Sequence, residues 1–221
     1  MDFNGMIAEL DRIVASRHLL QHPFYQDWTA GTLSCEALRE YARQYYRHVA
    51  AFPRYLSALH SRCEDLATRQ AILENLLEEE RGSRNHPELW MRFAEAVGVS
   101  RDEVSQSIPL PTTTNLVATF FRVTREAPLP AGLAALYAYE SQMPAIAAAK
   151  IDGLKRFYGI TNEDGFSFFS VHREADADHA RAGAALIEKL VEGSGDREAV
   201  IAAATAAVNA LWTMLDGVHQ G

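Results

Sequence analysis

Cysteine is scarce in this chain: 221 residues hold only Cys35 and Cys63. Their spacing offers neither a disulfide framework nor a CxxC site, which suits a reducing compartment. Positive charge is also in deficit, with 21 Lys and Arg against 29 Asp and Glu and a net charge of −8. No Lys/Arg cluster offsets that balance, so no nucleic-acid partner is expected. No apolar run approaches the length of a membrane span, so no membrane partner is expected either. The start, MDFNGMIAELDRIVASRHLL, carries acids early and lacks the apolar stretch of a signal peptide. A soluble cytoplasmic protein is the expectation. Alternating strand patterns, internal repeats and low-complexity linkers are missing as well. What remains is one all-α domain over residues 1–221, with the 48% apolar and 23% charged residues of an ordinary globular chain.

Helical periodicity runs through the sequence. An amphipathic helix is expected over about residues 3–18, with Phe3, Ile7, Leu10, Ile13 and Val14 on one side. The aromatic segment from His22 to Trp28 starts a short helix that ends near Gly31. Ser34 can cap a long helix to about His60, which Pro53 should bend. Further helices are expected over about 65–81, 86–97 and 113–126, with a short one opened by the capping box Ser100–Glu103. A long alanine-rich helix over about 131–157 contains Pro144, and helices over about 168–192 and 196–217 close the chain.

The chemistry begins with His172, Asp176 and His179. At about 100° per residue they fall within an arc of roughly 60° on one helix, as two imidazoles and a carboxylate able to converge on a transition metal. The competing reading is a solvated polar face. Glu79 and His86 are seven residues apart, the same face of a continuous helix, although Gly82 interrupts the interval. Glu140 lies among apolar and small residues, where an unpaired carboxylate needs a cation or a proton. Pro144 withholds the amide that would bond the Glu140 carbonyl, so the helix should kink at that turn. Together Glu79, His86, Glu140, His172, Asp176 and His179 offer three carboxylates and three imidazoles. Mixed oxygen and nitrogen donors in that number suit two iron or manganese ions better than one zinc. Asp178 is the rival to Asp176, and Glu78, Glu80 and Glu174 fall off the stripe and read as solvated.

These residues, with the His22-Pro-Phe-Tyr25 start and the His172-x3-Asp176-x2-His179 spacing, resemble the haem-oxygenase-like dimetal oxidases. The resemblance spans nearly the whole chain and is greatest to the branch named after the chlamydial protein associating with death domains. It implies a seven-helix bundle of haem-oxygenase-like fold holding an Fe/Fe, Mn/Fe or Mn/Mn pair, with dioxygen and an external reductant as co-substrates. It further implies 4-aminobenzoate synthesis for folate, with an internal tyrosine giving the ring and an internal lysine the amino group. Tyr25 and Lys150 match those two residues. By composition alone Tyr25 could equally be a core aromatic and Lys150 a snorkelling surface lysine. About 15 Å of helical rise separates Lys150 from Glu140, so it is expected at the pocket's far edge rather than among the ligands, or to depend on the Pro144 kink. Tyr41, Tyr45 and Tyr139 could line the pocket or relay a radical, or simply pack.

Two other readings share the sequence. One is the same fold acting on an external small molecule, as in pyrroloquinoline-quinone synthases or thiaminases; the latter want a nucleophilic cysteine, and neither Cys35 nor Cys63 has an evident base beside it. The other is a non-enzymatic protein-binding module, for which no interface is specified. The oligomeric state is open, a homodimer included.

Overall fold

Helix ends in this chain follow local chemistry. The computed structural model describes the backbone of residues 4–191 and 194–220, and side chains throughout except at 4, 173–178, 194 and 195. The helices are α1 (Asn4–Ser16), α2 (Pro23–Ala30), α3 (Cys35–Arg62), α4 (Leu66–Glu80), α5 (His86–Ala96), α6 (Arg101–Gln106), α7 (Pro111–Glu126), α8 (Leu129–Glu140), α9 (Met143–Phe157), α10 (Ser167–Leu190) and α11 (Ser194–His219). Side chains of His22, Ser34, Asp65, Asn85 and Ser100 each accept a backbone N–H at a helix start. The Ser100–Glu103 capping box is fully formed, and α3 runs unbroken through Pro53.

The described residues thus hold eleven α-helices and no strand. The all-α expectation stands; the expected count of seven does not. Short segments such as α2 and α6, with 8 and 6 residues, account for part of the difference. One more comes from the expected helix over 131–157, which is broken into α8 and α9 rather than kinked. Pro144 sits in the first turn of α9, where its missing N–H costs nothing. Gln142 fills the gap: its Nε2 donates to the Ala138 carbonyl at 2.7 Å, and its Oε1 accepts from the Leu19 amide at 2.9 Å.

At the centre lies α8, buried from Pro130 to Glu140, as a helix apolar on all sides must be. It packs against α1, α3, α7, α10 and α11. One sequence expectation needs correcting here. By length and composition alone Asp196–His219 could cross a membrane, and half of that stretch is buried against the rest of the fold. Its apolarity is spread over alanines between single polar residues, and in the structure that surface meets α1, α7 and α8.

Gly31, at φ 74°, ends α2 in the left-handed region, which glycine adopts without strain. Two further contacts dock α2 on α9. Trp28 Nε1 donates to the Lys150 carbonyl at 3.3 Å. A Cβ added at Gly153 would lie 2.5 Å from Trp28 Cδ1 and 3.2 Å from the Trp28 carbonyl oxygen. This close approach fixes the helix bearing Tyr25 against the helix bearing Lys150. Gly153→Ala should therefore destabilise the fold by about 1–3 kcal/mol, read as a lower urea midpoint; an unchanged midpoint would show that the approach has slack.

Candidate metal centre

Glu79 is the penultimate residue of α4 and His86 the first of α5. They do not share a continuous helical face, as the sequence spacing suggested. Instead α4 stops at Glu80, and the chain turns through Gly82 at φ 80°. The turn brings Glu79 Oε2 to 2.7 Å from His86 Nδ1. His172 joins them from α10: ligand atoms of Glu79, His86 and His172 all lie within 4.8 Å of one another, and all three residues are buried.

The tautomer of His172 follows from its partner. Its Nδ1 is 2.6 Å from the Phe168 carbonyl oxygen. A carbonyl only accepts, so Nδ1 carries the proton and Nε2 keeps its lone pair. Burial lowers the His172 pKa well below the ordinary range. The imidazole is therefore neutral, the form that binds metals.

A second group lies along α10. Glu140, the last residue of α8, is buried, and its Oε1 accepts from Asn75 Nδ2 at 2.8 Å. His179 Nδ1 is 4.0 Å from the same oxygen, and His179 Nε2 is 3.0 Å from Glu78 Oε2. Sequence reasoning set Glu78 aside as solvated; its side chain is 53% exposed yet meets His179. It missed Asn75 altogether, although Asn75 precedes Glu79 by one helical turn and register alone could have found it. The backbone of residue 176 lies on α10 between His172 and His179, while the Asp176 side chain, like that of Asp178, is outside the described residues. A cavity of about 40 Å³ adjoins Glu140, Asn75 and His179, with Leu56, Ile72, Leu133 and Leu136 in its wall. The residues present fit a metal group: buried carboxylates and imidazoles, without a thiolate, form a donor set suited to iron or manganese. Neither cysteine contributes. Cys35 is exposed, and the Cys63 thiol donates to the Asp65 carbonyl at 3.4 Å.

Lys150 and Tyr25 meet elsewhere in the core. The Lys150 side chain does not snorkel: the residue is 2% exposed, and Nζ donates to the Tyr41 hydroxyl at 2.7 Å. That hydroxyl is 3.3 Å from the Tyr25 hydroxyl. Rings surround the amine, with Phe169 at 4.7 Å, Tyr41 at 4.8 Å, and Tyr25 and Tyr45 each at 5.4 Å from Nζ. Burial pushes the Lys150 pKa well below its ordinary value and pushes the Tyr25 and Tyr41 phenols up. All three side chains are thus held neutral. Tyr45 donates to the Tyr139 hydroxyl at 3.1 Å. Rings then run from Tyr45 to Trp90 at 5.0 Å, to Phe168 at 4.9 Å and to His172 at 4.1 Å, joining this compartment to the candidate metal ligands.

Comparison with known proteins fits this picture. Residues 39–212 match the family described as iron-containing redox enzyme. The chain is 48% identical over its full length to the 4-aminobenzoate synthase of Nitrosomonas europaea, covering 93% of that protein. It is 45% identical over 96% of its length to the 4-aminobenzoate synthase of Chlamydia muridarum, covering 89% of it. A CADD-like protein of unknown function from Nostoc punctiforme superposes with a TM-score of 0.79 at 18% identity, over 99% of this chain and 97% of that one. The chain belongs to the iron-containing redox enzymes of haem-oxygenase-like fold, in the branch of the chlamydial protein associating with death domains.

Proposed function

We propose that the chain is a 4-aminobenzoate synthase that takes the aromatic ring from its own Tyr25 and the amino group from its own Lys150. The observation that carries this reading is the buried Lys150–Tyr41–Tyr25 series, with separations of 2.7 and 3.3 Å. A lysine with no ion-pair partner among the described residues, caged by rings beside a buried tyrosine, costs stability and calls for a chemical reason. The relatives named as 4-aminobenzoate synthases add weight.

Two iron or manganese ions would be held by Glu79, His86, Glu140, His172, Asp176 and His179. When bound, they would supply the activation of dioxygen, with electrons from an external donor. The protein's own contribution is environmental. Burial keeps the Lys150 amine unprotonated and therefore nucleophilic. It also keeps the Tyr25 phenol protonated until oxidation removes an electron. The Tyr41 hydroxyl bridges the two: it accepts from Lys150 Nζ and lies 3.3 Å from the Tyr25 hydroxyl, which holds amine and phenol in one line. Closure of the compartment to water protects reactive species from side reactions. Since both side chains are consumed, each chain turns over once.

Protein grown with iron and manganese should hold two metal ions per chain by elemental analysis, and fewer than one would sink the dimetal reading. With dioxygen, reductant and no added aromatic compound, that protein should release up to one 4-aminobenzoate per chain and Tyr25→Phe none. An unchanged yield in Tyr25→Phe would rule out the self-derived ring. Lys150 also makes a pH prediction. Its folded pKa is depressed below the ordinary 10.5, so the unfolded chain binds more protons between the two values and stability rises with pH across that window. Lys150→Met abolishes this titration. Its stability advantage over the natural chain should shrink as pH rises towards 10.5, by about 1.4 kcal/mol per pH unit; a constant difference would mean that Lys150 is charged when folded.

A further inference from the structure

Five arginines gather on one face of a chain whose net charge is −8. Arg47, Arg54 and Arg62 come from α3, and Arg122 and Arg125 from α7; they line a groove of three adjoining hollows that share Arg54, Phe121 and Arg125, two between these helices and one along α7 beside Glu126. Its largest section has a volume of about 560 Å³. Among the described residues none of the five meets a carboxylate. Arg47 donates to the Ser105 and Ser107 carbonyls, and Arg62 to those of Thr124 and Ala127. Arg54 and Arg125 lie over the Phe121 ring at 4.8 and 4.2 Å. At the rim, next to the groove-lining Pro109, Ile108 is 86% exposed. Unpaired guanidinium groups around an aromatic, with an apolar anchor beside them, are the makings of a protein-docking site.

Phe121 is also the outer end of a column of rings. It touches Tyr55 at 4.7 Å, Tyr55 lies 5.7 Å from His48, and His48 lies 4.9 Å from Tyr139. Tyr139 is hydrogen-bonded to Tyr45, from which the rings already described lead to His172. His48 is fully buried, and neither ring nitrogen has a hydrogen-bond partner. It is neutral, because burial pushes its pKa down to about 3. It thus packs as one more aromatic ring in the series.

We infer that the arginine groove docks an acidic one-electron carrier protein, and that the rings from Phe121 to His172 conduct its electron to the metal-ligand residues. This rests on the proposed function only in needing an external reductant. Each transfer oxidises the carrier's cofactor by one electron and reduces the centre held by His172 by one; no bond is made or broken. An acidic carrier would be steered to the groove by the unpaired arginines. A second copy of the chain is a poorer occupant, since a two-fold contact through this face would set arginine against arginine.

The test uses the full-length, metal-loaded chain and an acidic plant-type [2Fe–2S] ferredoxin as the probe. Calorimetric titration at low ionic strength should detect binding that weakens at least tenfold in 0.5 M salt. Arg54→Glu with Arg125→Glu should weaken it at least tenfold, and the Gln pair by less. Both proteins should give the same 4-aminobenzoate yield with dithionite, a small reductant that needs no docking. Tyr55→Leu should bind ferredoxin normally but oxidise it more slowly in a single turnover. Absence of binding, or affinity indifferent to the Glu pair, would overturn the docking site. So would a wild-type dimer that the Glu pair dissociates, or single-stranded DNA displacing ferredoxin from the groove. Equal oxidation rates in Tyr55→Leu would overturn the conducting column. A failure with dithionite in every variant would strike the proposed function instead, leaving the binding result to decide this one.

Discussion

A lysine amine taken out of water must find a counter-charge or give up its proton, and Lys150 has taken the second course. Its hydrogen-bond partner is the neutral Tyr41 hydroxyl, and the rings of Phe169, Tyr41, Tyr25 and Tyr45 lie within 5.4 Å of Nζ. An ammonium group there would forfeit several kcal/mol of hydration, roughly, and among the described residues no carboxylate pairs with it. Much of the surrounding architecture keeps that amine in place. Gln142 holds the break between α8 and α9, Gly153 admits the Trp28 indole, and Trp28 ties α2 to the Lys150 backbone. The same desolvation that weakens the fold frees the nitrogen lone pair.

The aromatic compartment and the metal-ligand group are neighbours with different solvation. One holds neutral phenols and a neutral amine; the other gathers carboxylates and imidazoles. Between them stand Trp90 and Phe168, whose ring contacts connect Tyr45 to His172. The Phe168 carbonyl also fixes the His172 tautomer, so one turn of α10 sets both the ring contact and the direction of the ligand's lone pair. Packed side chains thus connect the two groups across Trp90 and Phe168.

The sequence made the local features legible. Helix starts at Ser34 and Ser100 are written in side chains that bond amides two or three residues away, and such signals need no tertiary context. The His172–His179 spacing declares a shared face because the helical repeat alone dictates it. Glu79 and His86 were paired correctly but for a reason that does not hold, since a glycine turn rather than a helical face brings them together. The α8–α9 break depends on Gln142 reaching Leu19, more than a hundred residues away in the chain, and no local pattern encodes that contact. Lys150 stayed ambiguous for the same reason: its helix position suits a surface or a core, and only packing of α3 and α10 around it decides. Glu78 escaped because it gains its meaning from His179 on another helix, whereas Asn75 lies one turn before Glu79, where register alone marks it.

The most direct test of the account is to follow atoms. Protein produced with ring-¹³C tyrosine and ε-¹⁵N lysine is purified, mixed with excess unlabelled free tyrosine and lysine, and given dioxygen and reductant. Mass spectrometry of the released 4-aminobenzoate should find the ¹³C ring and the ¹⁵N nitrogen together in one molecule. Product carrying neither label would contradict the account, because ring and nitrogen would then have come from outside the chain.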